Sequence, residues 1–522
     1  MGKSVKENMF EADEAWKQKD VWEPLFREAY ELAAAGRNPY DREDGGPPSM
    51  ARQFDSTAAN AAVRGTNRLM TELTPPDQDW TGVALGPLME MKTSKPQQEE
   101  LTKQLDGVDK IVSMVFSSGT FINCQWEAYF DLLITGIGAL LVLEDPHDDL
   151  EPVIFQAVSQ AEIAITDDAK GQVCRVDRKR KIRARQIKKL WKDAILPKEL
   201  ADLMKNGANP ILELQESTYK GDGHNSRNQW FYSVIWRQEG KGGAELLCRT
   251  YDTNPWIIYR WSKLPGCPYG PGPVLLNFAD IRTANKVKEM MLMQAALALS
   301  GMYLVRDDGV INPDNIQIIQ GGMIPVAATG GSMGASMVPL QTGREFDLGQ
   351  FVLNDLQASI RAGMFANALP QENGKSMSPT EIIHRMRELT QDIGGAIGRL
   401  TRELVNLVRR VISILQRRGF LPEIKLDQYN FKVQINSPLA RAQHLNQVQT
   451  AVQWWDIARG IGGDQLAALK GKPEELIVYC ARLMGVSGTL LRTAEEEQVM
   501  TEKIAAILAS QQAPAAPSAQ AA

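Results

Sequence analysis

Paired cysteines and clustered histidines are missing from this sequence of 522 residues. The thiols are scattered, at Cys124, Cys174, Cys248, Cys267 and Cys480. Because no two of them form a C-x-x-C pair, we predict free thiols in a reducing cytoplasm rather than a redox or zinc site. The histidines, His147, His224, His384 and His444, lie too far apart for sequence-local metal ligation. The sequence therefore predicts no metal centre.

Long apolar runs are also missing. The longest, LLITGIGALLVLE from Leu132, holds about a dozen uncharged residues, whereas roughly 20 are needed to span a bilayer. This run predicts a buried helix that leads into a strand. The N-terminal stretch MGKSVKENMFEADEAW carries charges where a signal peptide needs an apolar core, and it lacks the Ser/Thr of a myristoylation signal. We expect neither secretion nor a membrane partner.

A strong excess of one charge is absent too, since 58 Lys and Arg oppose 63 Asp and Glu for a net charge of -5. Such a protein is not a polycation that clamps a phosphate backbone through counterion release. Hydrophobic and charged fractions of 43% and 23% are typical of a soluble globular protein. No G-x-S-x-G elbow occurs, and we predict no catalytic residues.

A glycine loop, TGGSMGAS at 329–336, is the stretch closest to a phosphate cradle. A Walker loop needs Lys and Ser/Thr directly after its last glycine, but Ala335 follows Gly334 here. The glycines also miss the G-x-G-x-x-G order, and no helical pattern begins there. We predict a flexible loop and no cofactor; a nucleotide-binding enzyme that uses this loop is the chemical alternative.

A basic run at 175–192, RVDRKRKIRARQIKKLWK, has ten Lys/Arg against one Asp. It is either a nucleic-acid patch or the solvated side of a strand and a short helix. The second interpretation is preferred, because such runs are commonly solvated faces. It places four side chains inward: Ile182, Ile187, Leu190 and Trp191.

The chain divides into regions of different periodicity. Residues 10–135 are predicted to be mostly helical, with proline pairs breaking helices at 45–49 and 74–80. From about 140 to 262, strand-like runs rich in β-branched and aromatic residues predict an α+β domain. These runs are DLEPVIFQAV, AEIAITDD, NQWFYSVIWRQE and AELLCRTYD.

The middle of the chain predicts two helices on either side of a β excursion. A Pro/Gly-rich elbow ends at Pro273, which suits a helix start, and Gly301 suits a helix stop. Strand-like MYLVRDD, IQIIQGGMIPVAA and SMVPLQ come next, the last two joined by the glycine loop. A second helix at 347–365 is followed by the polar stretch ANALPQENGKSM.

A much longer helix is predicted after this polar stretch. Ser378, Pro379 and Glu381 form a capping box, and Gly419 suits a C-terminal stop. The intervening residues, about 40, would extend ~60 Å. Glycines at 394, 395 and 398 predict a bend or a close helix contact. The inward positions are Ile382, Met386, Leu389, Ile393, Ile397, Leu400, Leu404, Leu407, Val411 and Ile414.

Four stretches carry motifs in a fixed order. Residues 54–80 read as a small-residue helix followed by L-T-P-P and Trp, and residues 183–191 contain A-R-Q. Residues 254–273 contain P-x-x-x-x-R-W and a proline-rich Y-G-x-x-P, and residues 378–422 contain T-E-I, R-M-R-E-L and R-R-G-x-L-P. Together they resemble the portal proteins, or head-to-tail connectors, of short-tailed double-stranded DNA phages, over nearly the whole chain.

The resemblance implies a portal fold of wing, stem, clip and crown, α+β and mainly helical, which forms a ring of usually about twelve copies around a channel. The parts would be the wing (1–273), a stem helix (274–300), the clip (301–343), a second stem helix (344–365), the tunnel loop (366–378), the long helix and wing return (379–437), a helical crown (438–510) and a disordered tail (511–522).

The resemblance also implies site residues and partners. Channel contacts would be Gln371, Asn373, Lys375 and Ser376 of the tunnel loop and Arg282 and Lys286 of the stem; clip docking would use Gly330, Gly331, Ser332, Met333 and Gly334. Expected partners are double-stranded DNA, the terminase large subunit, tail adaptor and tail tube proteins, and capsid and scaffolding proteins. The protein would reside at the capsid vertex of the virion, and in host cytoplasm during assembly. A capsid subunit is the structural alternative.

Overall fold

The computed structural model describes residues 3–40, 52–145, 148–205, 209–221, 229–238, 242–300, 303–306, 323–326, 337–339, 346–366, 379–422, 430–484 and 500. The helices are α1 (Val5–Asp20), α2 (Glu23–Ala33), α3 (Thr57–Leu73), α4 (Pro87–Lys92), α5 (Lys95–Phe116), α6 (Gly119–Thr135), α7 (Ala184–Leu190), α8 (Lys198–Lys205), α9 (Pro273–Leu276), α10 (Phe278–Ser300), α11 (Phe346–Gly363), α12 (Pro379–Arg417), α13 (Pro438–Lys470) and α14 (Pro473–Met484). The strands are β1 (Thr81–Leu85), β2 (Ile137–Glu144), β3 (Val153–Val158), β4 (Ile163–Asp167), β5 (Val173–Arg183), β6 (Ile211–Lys220), β7 (Trp230–Gln238), β8 (Gly242–Tyr251), β9 (Trp256–Arg260), β10 (Tyr303–Arg306), β11 (Met323–Val326), β12 (Met337–Pro339) and β13 (Phe431–Ile435). With 57% of residues helical, the predicted mainly helical α+β class is confirmed.

The longest apolar run folds as a helix followed by a strand, as predicted. Helix α6 ends at Thr135, Gly136 adopts a left-handed φ of 87°, and β2 begins at Ile137. A Cβ on Gly136 would lie 2.4 Å from the carbonyl oxygen of Gly270, so the turn requires glycine. Strand β2 is the centre of a β3-β2-β9 sheet and is buried along most of its length. No described helix is both long and apolar enough to cross a membrane.

A second sheet has five antiparallel strands in the order β4-β5-β6-β7-β8. Four of the predicted strand-like runs become β3, β4, β7 and β8. Helix α1 lies against this sheet, with contacts to β4 and β8. We call these two sheets, with the N-terminal helices α1, α2, α3, α5 and α6, the body.

The prediction that the basic run at 175–192 forms a solvated face is wrong for the first half of the run. Arg175 and Arg178 are 4% and 5% exposed, and acidic residues of the same strand and of other segments neutralise them. Arg175 Nε lies 2.7 Å from Asp177 Oδ2, and Arg178 Nη2 lies 2.7 Å from Glu162 Oε2. A third pair joins Arg180 to Glu216, at 2.8 Å. This half of the run is a buried ion-pair network.

Four hydrophobic residues of the same run were predicted to face inward, and three do. Ile182, Ile187 and Trp191 are buried, whereas Leu190 is 53% exposed. Helix α7 ends at Leu190, and Ile187 and Trp191 belong to the apolar cluster beneath it. Leu190 is therefore left at the edge of that cluster, which corrects the prediction.

The long helix α12 begins at Pro379 and spans 39 residues, about 58 Å at ~1.5 Å per residue. Gly419, with a φ of 79°, follows its end, as the predicted glycine stop requires. Of the predicted inward positions, Leu400, Leu404, Leu407, Val411 and Ile414 are completely buried and Ile397 is nearly so. The side chains of Ile382, Met386, Leu389 and Ile393, and the cap residue Ser378, lie outside the described residues.

After α12 the chain returns to the N-terminal body. Strand β13 pairs antiparallel with β1, with Val433 opposite Val83. The helical prediction for residues 10–135 missed β1, whose partner lies near the other end of the chain. Both strands contribute to the apolar cluster that also buries α12.

Candidate functional site

Helices α10 and α11 form an antiparallel pair, which we call the stem pair. Ser359 Oγ donates to Asp280 Oδ2 at 2.8 Å, near the start of α10, and Gly349 faces Met291 further along. The predicted helix from Pro273 is broken at Asn277, because Asn277 Nδ2 donates to the Pro273 carbonyl and competes with the helical backbone. The rest of α10 continues to Ser300.

At the far end of the stem pair the chain makes a small sheet in the order β11-β10-β12. Strand β10 runs parallel to β11 and antiparallel to β12, so the predicted strands are present and pair with one another. The predicted docking residues of the glycine loop, Gly330, Gly331, Ser332, Met333 and Gly334, lie outside the described residues.

The two predicted stem cations lie on the exposed side of α10, about one turn apart. Arg282 forms two hydrogen bonds with Glu28, one of 2.6 Å from Nε, and its guanidinium lies 4.2 Å from the Phe278 ring. The bond to Glu28 raises the pKa of Arg282. Lys286 pairs with Glu289 at 2.8 Å. Each cation is thus compensated by a carboxylate, which leaves little net positive charge at this position.

The stem pair also exposes large apolar side chains. Phe351 is 73% exposed, and Met290, Leu292, Met293 and Val352 are between 41% and 58% exposed. The opposite side of the pair is buried: Ile281, Ala284, Leu353 and Ile360 pack into one cluster with α2, α3 and α6. A face of this kind normally packs against another surface.

Helix α11 leaves the body through a fixed exit at Phe365. The φ of Phe365 is 57°, in the left-handed region that residues other than glycine rarely adopt. The exit is held by Arg68, which donates to the Phe365 carbonyl at 3.2 Å, and by the Trp261 ring, 5.5 Å from that of Phe365. The predicted channel residues that follow, Gln371, Asn373, Lys375 and Ser376, lie outside the described residues.

Two arginines, Arg399 and Arg410, anchor α12 to the body. Neither was predicted from the sequence. Arg399 donates to the Trp261 carbonyl, at 2.5 Å from Nη2. Arg410 is completely buried, donates to the Val142 carbonyl at 3.2 Å and to Thr253 Oγ1 at 3.0 Å. Burial lowers the pKa of Arg410 to about 10. The sequence held a signal, since position 410 is three residues after Leu407 on the inward side of the helix.

Among the described residues, no cluster of His, Cys, Asp or Glu could hold a metal ion. The described features are instead surfaces that another protein could contact. They are the exposed stem pair, the small β11-β10-β12 sheet at its far end, and the long helix α12, which is anchored to the body. Such a chain is suited to assembly. It belongs to the family of bacteriophage head to tail connecting proteins, whose profile matches residues 7–491.

Two relatives of this chain are phage portal proteins. The chain is 22% identical over 462 residues to the portal protein of Enterobacteria phage T3, a match that covers 85% of this chain and 81% of the relative. It is 22% identical over 464 residues to the portal protein of Escherichia phage T7, with coverages of 84% and 81%.

Solved structures with some likeness come from gene transfer agent particles. A chain of a native virion matches with a TM-score of 0.33 and 12% identity, over 71% of this chain and 84% of that chain. A chain from the neck of an empty particle matches with a TM-score of 0.36 and 11% identity, over 82% and 90%.

Proposed function

We propose that the chain is the portal subunit of a short-tailed phage and forms a ring at one capsid vertex, through which DNA is packaged and ejected. Family membership and the two portal-protein relatives support this function. The proposed division is wing 1–273, stem helices 274–300 and 344–365, clip 301–343, tunnel loop 366–378, long helix and wing return 379–437, crown 438–510 and tail 511–522.

The observation that best supports a ring is the exposed apolar surface of the described helices. Besides Phe351 of the stem pair, Trp454, Ile457 and Ile461 of α13 are between 50% and 82% exposed and share one helical face. A head-to-tail interface that closes on itself covers such faces in every copy, whereas a monomer leaves them in water.

The tunnel loop would line the channel and touch DNA weakly. Each firmly neutralised phosphate adds salt-dependent affinity, and a channel that held DNA tightly would stall transport. Lys375 is the only cation between 366 and 378, and Gln371, Asn373 and Ser376 would be neutral contacts. The compensated stem cations Arg282 and Lys286 fit the same requirement.

Lys375→Glu tests this channel. We expect this substitution to impair packaging or DNA retention without preventing ring formation. In each subunit it replaces a positive charge by a negative charge, which the DNA phosphates would repel. Packaged DNA per capsid is the measurement, with Lys6→Glu, an exposed lysine of α1, as the matched control. Normal packaging in the Lys375 variant would contradict the assignment of this loop to the channel.

The clip would dock the terminase large subunit and then the tail adaptor and tail tube. Its three short strands are too small to own a core, so partners from adjacent subunits would stabilise them. The stretch GGMIPVAATGGSMGASM is apolar and uncharged, which suits successive binding of different partners. Contacts with capsid and scaffolding proteins would form during assembly in the host cytoplasm.

Deleting Gly330 to Ser336 tests the clip. We expect a folded ring that binds terminase or tail adaptor poorly, as measured by co-sedimentation with each partner. Full-strength binding of both partners would rule out the clip assignment. Saturable nucleotide binding by the intact loop would instead favour the enzyme alternative, which a thermal-shift assay with ATP detects.

A further inference from the structure

The second half of the basic run forms an exposed cationic surface, which we call the α7 patch: Lys181, Arg183, Arg185, Lys188, Lys189 and Lys192. All six side chains are exposed, in contrast to the buried arginines of the first half. No acidic residue lies between Asp177 and Asp193. The patch therefore has no acidic neighbour in sequence between those two residues.

The cations of the patch share one side of the local structure. In α7, Arg185, Lys188 and Lys189 fall within an arc of about 100°, at ~100° per residue. Ile187 faces away from this arc, and both Ile187 and Ala184 are buried in the apolar cluster. The exposed Leu190 lies about 100° from Lys189, away from the centre of the cationic arc.

Five of the six cations, all except Arg185, are weakly neutralised or not neutralised by carboxylates of the described residues. Lys181 lies 3.9 Å from Glu213, but both side chains are more than 60% exposed, so water and salt screen the pair. Within the described residues, the side chains of Arg183, Lys188, Lys189 and Lys192 have no carboxylate partner. The helix dipole favours Lys188 and Lys189 at the C-terminal end of α7 but disfavours Arg183 at its N-terminal end. The patch is thus a surface of mutual repulsion that an anionic partner would relieve.

We infer that the α7 patch binds the phosphate backbone of double-stranded DNA, at a site separate from the proposed channel loop and stem. Specific protein interfaces are depleted in lysine and have an apolar centre, whereas phosphate contacts are made by exposed Lys and Arg. The choice of DNA rests on the proposed function, in which each ring lies at the vertex of a capsid that is filled with DNA. The contact is independent of base sequence, because cations of this kind read charge alone.

Covalently closed circular DNA tests the inference, because it cannot thread a closed ring and so reports binding outside the channel. The full-length protein would be titrated with closed circular plasmid at NaCl concentrations from about 50 to 200 mM. The test variant is Lys188→Glu/Lys189→Glu/Lys192→Glu. The matched control is Lys6→Glu/Lys17→Glu/Lys103→Glu, which makes the same charge change at exposed but scattered positions.

We expect wild type and control to bind with the same salt dependence and the patch variant to bind at least about tenfold more weakly at low salt. The slope of log K against log salt should fall by roughly 0.9 for each lost phosphate contact. Equal binding by patch variant and control would overturn the inference. So would a patch variant that fails to form the oligomer seen with the control, since the cations would then lie in a subunit interface. Normal DNA binding with loss of capsid-protein binding would identify a protein-docking surface instead. A ring with no patch-dependent binding would refute this inference and leave the proposed function standing.

Discussion

Lys19 is a fully buried ammonium group that holds α1 on the body. Its Nζ donates to the carbonyls of Gln160 and Ala161, at 2.5 and 3.0 Å, and lies 4.3 Å from the Trp16 ring. Burial lowers its pKa to about 7, although Glu23 and Asp20 oppose this shift. The group therefore titrates in the folded protein at a pH where an unfolded lysine is still charged.

This shift predicts a stability that rises with pH. Between pH 7 and about 10.5 the unfolded chain binds more protons at Lys19 than the folded chain does, so the free energy of unfolding increases across that window. From pH 7 to 9 the gain is at most about 2 kcal/mol. Lys19→Met should remove it, flattening the rise in melting temperature, whereas Lys17→Met at an exposed position should not. Parallel pH profiles for wild type and Lys19→Met would contradict the role of Lys19.

At the scale of elements, three glycines lie on a face of α12 that is open in the single chain. Gly394, Gly395 and Gly398 are exposed, and a Cβ at any of them would meet no atom of the chain within 4 Å. In an isolated helix each costs roughly 1 kcal/mol relative to alanine. Close approach of a neighbouring subunit would explain why these positions lack side chains.

Gly395→Ala/Gly398→Ala should therefore have opposite effects on the chain and on the ring. The dissociated chain should gain up to about 1 kcal/mol per substitution, while ring assembly weakens because two methyl groups enter the contact. Thermal unfolding and native mass spectrometry measure the two effects, with Ser413→Ala in the same helix as control. Undiminished ring assembly would show that no subunit packs on these glycines.

Sequence periodicity predicts those elements whose signals are local. The helix-to-strand segment of α6 and β2, the proline start of α12 and its buried leucines all follow from neighbouring residues. Strand β1 is missed because its five residues gain their pairing from β13, near the other end of the chain. The buried arginines of β5 are missed for a similar reason, since Arg175 is neutralised partly by Glu11 of α1. Among the candidate site residues, only Arg282 and Lys286 fall within the described residues. Glu289 lies three residues from Lys286, so spacing could have predicted that pair. The pairing of Arg282 with Glu28 could not be predicted, because Glu28 lies far away in the sequence.

At the scale of the whole molecule, the stem pair and α13 expose large apolar side chains that the described chain does not cover. In the proposed ring, the helices of adjacent copies would pack side by side and cover this surface, and the small sheets would meet at one end. The alternatives require other arrangements. A capsid subunit has no need of a β excursion between two helices followed by a rod, and a nucleotide-binding enzyme would have to use the glycine loop at 329–336, which the thermal-shift assay with ATP tests.

Electron micrographs of the purified full-length protein, averaged in two dimensions, test the ring most directly. We predict rotationally symmetric particles with a central hole, and a single high-mass species when the same sample is measured by native mass spectrometry at micromolar concentration. Phe351→Asp, which charges the exposed face of the stem pair, should reduce the fraction of rings while leaving the chain folded. Only monomers and dimers, or a closed shell without a channel, would contradict the account.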